Sequence, residues 1–179
     1  MADVVSEKYG RAFDVLDADK NGYLVWGDYQ ALADRFITAY QLGKDDLRAL
    51  ALITHFQMEW VELLRHAGVD GDRLDREQYA QASRMAAIDT SRLNVAEGGA
   101  HAVFDVIDVD GDNEISKDQF TRLLTDVWKV TDPTALDAFS RIDTDGDGVI
   151  SRLEFVRTLR EYHFSDDPKA PGSIIFGQL

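Results

Sequence analysis

Tyr29, Leu32, Ala33, Phe36, Ile37 and Tyr40 follow one another at three- and four-residue intervals, and so do Phe120, Leu123, Leu124, Val127 and Trp128. That spacing places each set on one side of a helix. Shorter sets, Tyr9–Phe13–Leu16, Val103–Phe104–Ile107 and Leu136–Phe139–Ile142, predict helices that end just before strongly polar stretches. Asp132 followed by Pro133 reads as an N-cap and first-turn proline, so the last of these helices is expected to start there as one clean segment. Between Lys44 and His66, Leu50, Ile53, Phe56, Trp60, Leu63 and Leu64 spread over more than one face, which predicts a long helix buried on two sides. The stretch AIDTSRLNVAEGG at 87–99 loses the periodicity and ends in two glycines; residues 89–99 are the expected joint between two halves.

The polar stretches share a template. In DTDGDGVISRLE, 143–154, Asp143, Asp145 and Asp147 stand at positions 1, 3 and 5, Gly148 at the sharp turn of position 6 and Glu154 at position 12. Side-chain oxygens at these positions, the Val149 carbonyl at position 7 and a water held by Ser151 at position 9 form the oxygen set of a hard divalent cation. Without a cation the carboxylates repel one another, which favours binding.

Two further stretches keep the template with altered endings. DADKNGYLVWGD, 17–28, offers Asp17, Asp19, Asn21, the Tyr23 carbonyl and Asp28. Aspartate is one methylene shorter than glutamate and more easily gives one oxygen than two, which favours six-coordination and magnesium. Val25 at position 9 has no side-chain oxygen. The stretch reads as tuned towards magnesium or mixed occupancy, with a lost site as the alternative. DVDGDNEISKDQ, 108–119, offers Asp108, Asp110, Asp112 and the Glu114 carbonyl, and Ser116 can relay a water. Asn113 replaces the turn glycine, and asparagine enters the left-handed region more readily than most residues. Gln119 closes it with one neutral oxygen, so calcium affinity is expected to fall by a factor of about ten to a thousand.

Such units pair through a short strand around position 8, so three of them call for a fourth. Leu74 and Tyr79 repeat the spacing of Ile115 to Phe120 and of Ile150 to Phe155, which registers a fourth loop at 67–78. Ala67, Val69 and Gly71 then fall where oxygen ligands belong, and Gln78 falls at position 12, so the scaffold survives without its ligands. A register through Asp70, Asp72 and Asp75 would break the apolar spacing.

Composition narrows the partners. The 179 residues carry a net charge of −14, which repels nucleic acid and anionic lipid, and 45% hydrophobic content suits a folded core. Cysteine is absent, which fits a reducing compartment, and no apolar run reaches the ~18 residues of a membrane span. The N-terminal sequence lacks a basic start followed by a continuous apolar run, so a cytoplasmic protein is expected. No nucleophile and base arrangement, phosphate loop or zinc spacing is found, so an enzyme is not expected. Methionine is confined to Met1, Met58 and Met85, which argues against a target-binding groove. Trp26, Trp60 and Trp128 with His55, His66, His101 and His163 read first as core and surface residues. For His163 the end of the last helix favours a cation without further chemistry.

Four helix-loop-helix units with the second ligand-free, an overlong third helix, Asp at position 12 of the first loop and an aromatic tail, REYHFSDDPKAPGSIIFGQL, resemble the sarcoplasmic calcium-binding proteins of the EF-hand superfamily. The likeness is greatest to their bacterial, calerythrin-type relatives from actinomycetes. It covers the whole chain, and Gln119 departs from the family pattern. The resemblance implies an all-α fold of four EF-hands in two pairs packed as one compact globule. The expected organisation is an N-terminal pair at 1–88, the joint, a C-terminal pair at 100–164 and a tail at 165–179 packed on the globule. It also implies a calcium and magnesium buffer, or a modulator of a protein target that the sequence does not name; a compact monomer is expected because the apolar stripes have no other place to bury. The other readings are a calcium sensor and, through the related photoproteins and coelenterazine-binding proteins, a carrier of an apolar ligand.

Overall fold

The computed structural model describes residues 3–177. The chain runs α1 (Val4–Leu16), β1 (Tyr23–Val25), α2 (Trp26–Ala39), α3 (Leu47–Ala67), β2 (Arg73–Asp75), α4 (Arg76–Ile88), α5 (Val95–Ile107), β3 (Glu114–Ser116), α6 (Lys117–Arg122), α7 (Pro133–Leu136), α8 (Phe139–Ile142), β4 (Val149–Ser151) and α9 (Arg152–Phe164). The fold is mostly helical, and its strands are three-residue pieces in two antiparallel pairs. β1 meets β2 with Leu24 opposite Leu74, and β3 meets β4 with Ile115 opposite Ile150. All four of these side chains are fully buried, because position 8 of each loop points inward between the helices.

The helix starts explain the loop endings. The residue at position 12 of each loop is also N3 of the exit helix, and its side chain returns to the backbone N–H at position 9. Gln119 accepts from Ser116 and Glu154 from Ser151, while Ser116 and Ser151 in turn accept from the N3 amides, forming capping boxes. Gln78 does the same with Asp75 in the ligand-free hand, and Asp28 reaches the Val25 amide at 2.8 Å. A closing side chain therefore serves the helix as well as any cation.

One continuous core joins the pairs. Tyr9 and Phe13 of α1, Phe36 of α2, Phe56 of α3, Phe104 of α5, Phe120 of α6 and Phe155 of α9 all belong to it. The Lys8 ammonium, 1% exposed, donates to the carbonyls of Glu161 and Ser165 at 2.9 and 2.8 Å, tying α1 to the end of α9. The tail returns over α9, where Phe176 packs 4.5 Å from the Trp128 ring and Ile175 is fully buried. A Cβ on Gly172 would sit 2.3 Å from the Thr158 carbonyl, so glycine is what lets the tail lie this close.

Three expectations from the periodicity change. α3 packs against α2, α4 and α5 and buries Ala49, Leu52, His55, Phe56, Trp60 and Leu63, but Leu50, expected with them, lies on its exposed outer face. Residues 95–99, read as part of the joint, open α5. Gly98 and Gly99 are helical and face the His55 ring, with ideal Cβ positions 3.2 and 3.0 Å from it, so they serve close helix packing and not a bend. The single helix expected from Asp132 is two short pieces, α7 and α8. Asp132 does cap Thr134, but the turn at Asp137 and Ala138 interrupts the ladder before Phe139. Among the described residues no helix is long and apolar enough to cross a membrane.

Candidate metal centre

In the loop at 143–154 (loop 4) the acidic side chains are held by the loop's own amides. Asp143 accepts from Gly146, Asp147 and Gly148, Asp145 from Asp147, and Asp147 from Val149, at 2.9 to 3.2 Å. This requires left-handed backbone at Gly146 and Gly148, φ 73° and 90°. Carboxylate oxygens of Asp143, Asp145 and Asp147 converge within 4.8 Å of one another. Glu154 lies 7% exposed beneath them. Its Oε1 accepts from the amide and hydroxyl of Thr144 at 2.8 and 2.7 Å, and its Oε2 from those of Ser151 at 3.0 Å. Burial alone would raise this carboxyl's pKa, but the four donors outweigh it and set it at about 2. Sequence spacing did not single out Thr144, the residue that draws Glu154 across the loop.

The loop at 108–119 (loop 3) is built the same way. Asp108 accepts from Gly111 and Asn113 at 2.9 and 3.0 Å, Asp112 accepts from Glu114, and oxygens of Asp108, Asp110 and Asp112 converge within 4.8 Å. Asn113 takes the turn at φ 65°. Gln119 reaches the acidic ring through its nitrogen, donating from Nε2 to Asp110 Oδ1 at 3.2 Å, while its oxygen caps Ser116. In this arrangement the amide bridges the position-3 carboxylate and the helix start.

The loop at 17–28 (loop 1) has Asp17 accepting from Asn21 and Gly22, and Asn21 Oδ1 accepting from Tyr23 at 2.9 Å. Asn21 Nδ2 donates to Asp19 Oδ2 at 2.8 Å. Burial raises the pKa of Asp28, and the charges of Asp19 and Asp17 add to this against the lowering by the Val25 amide. Loops 3 and 4 each bring three carboxylates together, and such oxygens suit a hard cation such as calcium or magnesium. In the second, ligand-free hand Asp75 caps α4 and Asp70 and Asp72 are exposed. A separate cluster, Glu62, His66 and Asp89, is bridged by the Arg65 guanidinium, 2.6 Å from each carboxylate.

Between the pairs lies a cavity of 140 Å³, mainly apolar, whose polar lining includes Tyr9, Tyr29, Glu59, Tyr79 and His163. The Tyr29 hydroxyl donates to Glu59 at 3.4 Å, and Tyr9 shares a 2.8 Å hydrogen bond with His163 Nδ1. Burial lowers the His163 pKa to about 4.

Residues 99–162 match the family described as an EF-hand domain pair. A calcium-binding protein from Streptomyces coelicolor, solved as a structural basis for calcium-mediated regulation in prokaryotes, is 27% identical, with 89% of this chain and 97% of that one covered and a TM-score of 0.72. An amphioxus sarcoplasmic calcium-binding protein superposes over 100% and 99% of the two chains at 16% identity and a TM-score of 0.74. The chain thus carries an EF-hand pair at residues 99–162 and shares over its length the fold of these calcium-binding proteins. A coelenterazine-binding protein from Renilla muelleri shares this EF-hand globule over 100% of both chains, at 21% identity and a TM-score of 0.66. By sequence, the chain matches no curated protein.

Proposed function

We propose that this EF-hand protein is a monomeric, cytoplasmic buffer of calcium and magnesium that takes cations at three loops. Loop 4 carries the reading: three converging carboxylates lie above a Glu154 whose two oxygens are already drawn across the loop. Its ligands are Asp143, Asp145, Asp147, the Val149 carbonyl and Glu154. Loop 1 takes magnesium or calcium through Asp17, Asp19, Asn21, the Tyr23 carbonyl and Asp28. Loop 3 takes calcium more weakly through Asp108, Asp110, Asp112, the Glu114 carbonyl and Gln119. For the last of these, the amide turns its oxygen to the ion and gives up the bond to Asp110.

Buffering is favoured over sensing because a sensor opens a methionine-rich groove, and here Met58 and Met85 stand on different helices while one core continues through both pairs. Calorimetric calcium titration with and without millimolar magnesium tests this. Three sites, one losing calcium affinity when magnesium is present, are expected. Calcium-dependent binding of an apolar dye would instead favour a sensor.

The cavity supports a second reading, carriage of a small apolar ligand, since 140 Å³ is close to the size that holds benzene in an engineered core. A coloured or fluorescent molecule copurifying with the protein would establish it.

A further inference from the structure

Loop 3 is gripped from outside at three points. On α3, Arg48 donates Nε and Nη2 to the two oxygens of Asp46 at 3.0 and 2.8 Å. That fork fixes the guanidinium and turns Nη1 to the carbonyls of Asp108 and Val109, at 3.3 and 3.4 Å, the first two residues of the loop. At the end of α2, the buried Tyr40 hydroxyl donates to the carbonyl of Gln119 at 2.8 Å, the last residue of the loop. From α9, Arg152 donates Nε to Asn113 Oδ1 at 2.8 Å and Nη2 to Asp105 at 2.7 Å, with its guanidinium 4.2 Å from the Phe104 ring centre.

The gripped loop is also the one with two substitutions that make it harder to close. Asn113 holds a left-handed turn that glycine would take without strain, and Gln119 lacks the charge and reach of a closing glutamate. A cation that has to order its own loop loses part of its binding free energy to conformational entropy, and a loop ordered beforehand does not impose that cost. The helix carrying Arg48 belongs to the hand without ligands, so that hand has a use beyond pairing strands.

We propose that Arg48, Tyr40 and Arg152 are positioning residues for the cation of loop 3: they hold the loop in its ligand-ready shape before the ion arrives and so offset the affinity lost with Gln119. The proposal rests on the reading of loop 3 as a cation site. It makes the N-terminal pair a determinant of affinity in the C-terminal pair.

The test uses the full chain with Tyr40→Phe, Arg48→Lys and Arg152→Gln, each compared with wild type. Arg48→Lys keeps the charge near the ion and removes the fork, which separates positioning from charge repulsion. In metal-free protein, hydrogen exchange at the Gly111 and Asn113 amides should quicken about fivefold to tenfold in each variant, the effect of one lost hydrogen bond, while Gly22 in loop 1 keeps its rate. Calcium affinity at loop 3 should fall by a similar factor with loop 1 unchanged. Asn113→Gly added to Arg152→Gln should restore exchange and affinity, because glycine needs no help to hold the turn. Exchange that quickens equally at Gly22, or a double variant that is not rescued, overturns the proposal. A wild-type chain that takes no calcium at loop 3 overturns the reading of that loop as a site, and the proposal with it. Unchanged variants of a chain that does bind there overturn the proposal alone.

Discussion

Leu24 of the first loop lies directly opposite Leu74 of the ligand-free one, and neither exposes any surface. The hand without ligands is therefore a structural half of loop 1. Leu74→Ala should cost about 2–5 kcal/mol of stability by leaving a cavity at the centre of the N-terminal pair. It should also weaken cation binding at loop 1 while sparing loop 4, which denaturant unfolding and calorimetric titration would reveal together.

Glu154→Gln should remove the strongest site. It exchanges a charged carboxylate, able to give the ion two oxygens, for an amide like that of Gln119, and an expected loss of about 2–4 kcal/mol of calcium affinity follows. Loop 3 should weaken as well, because Ile115 and Ile150 share the β3–β4 ladder. A variant that keeps the wild-type isotherm would show that loop 4 is not the anchor.

Asp28→Glu should move loop 1 towards calcium. The longer side chain still caps Val25 and can supply two oxygens, so calcium affinity should rise by about tenfold and the advantage of magnesium should shrink. Competitive titration with both ions measures it, and unchanged selectivity would refute the short-reach explanation.

His163 should shape the acid limb of stability. Its pKa falls from 6.5 to about 4 because burial beside the cavity disfavours the cation; Glu59 opposes this shift and Lys8 adds to it. Between those two values the unfolded chain binds the extra proton, so stability rises with pH through this window and is lost as pH falls from 6.5 towards 4. The contribution is about 2 kcal/mol after allowing for the ring's partial exposure. In metal-free protein His163→Phe should flatten that part of the curve, and an unchanged slope in pH-dependent unfolding would contradict the assignment.

The elements that were legible are those fixed by short-range spacing. Leu74 and Tyr79 identified the ligand-free second hand because position 8 and the first buried turn after it stay five residues apart even when every ligand is gone. Gly98 and Gly99 misled because a glycine that breaks a helix and one that admits a neighbouring ring are written alike; only the distance to His55 tells them apart. Leu50 misled because a single apolar residue can sit on the exposed face of a helix that is otherwise well packed. The break between α7 and α8 sits within a periodic stripe that continues in register across it, so the stripe did not reveal it. Arg48, Tyr40 and Arg152 reach loop 3 from three other helices, with Tyr40 separated from Gln119 by 79 residues, and no local pattern marks such contacts. Thr144 was hidden for the opposite reason, since position 2 of a loop tolerates many residues and only the fold brings it to Glu154.

The double service of position 12 bears on how a hand of this kind can change over time. Because glutamine completes the same capping box as glutamate, the exit helix still begins correctly when the closing charge is lost. A lineage can thus shed a binding site by one substitution while keeping a foldable intermediate at every step. Gln119 and Gln78 close two such loops in this chain, one with its acidic ring intact and one without a ring. The route back is open on the same terms: Gln119→Glu would add a ligand to a helix that already accommodates it.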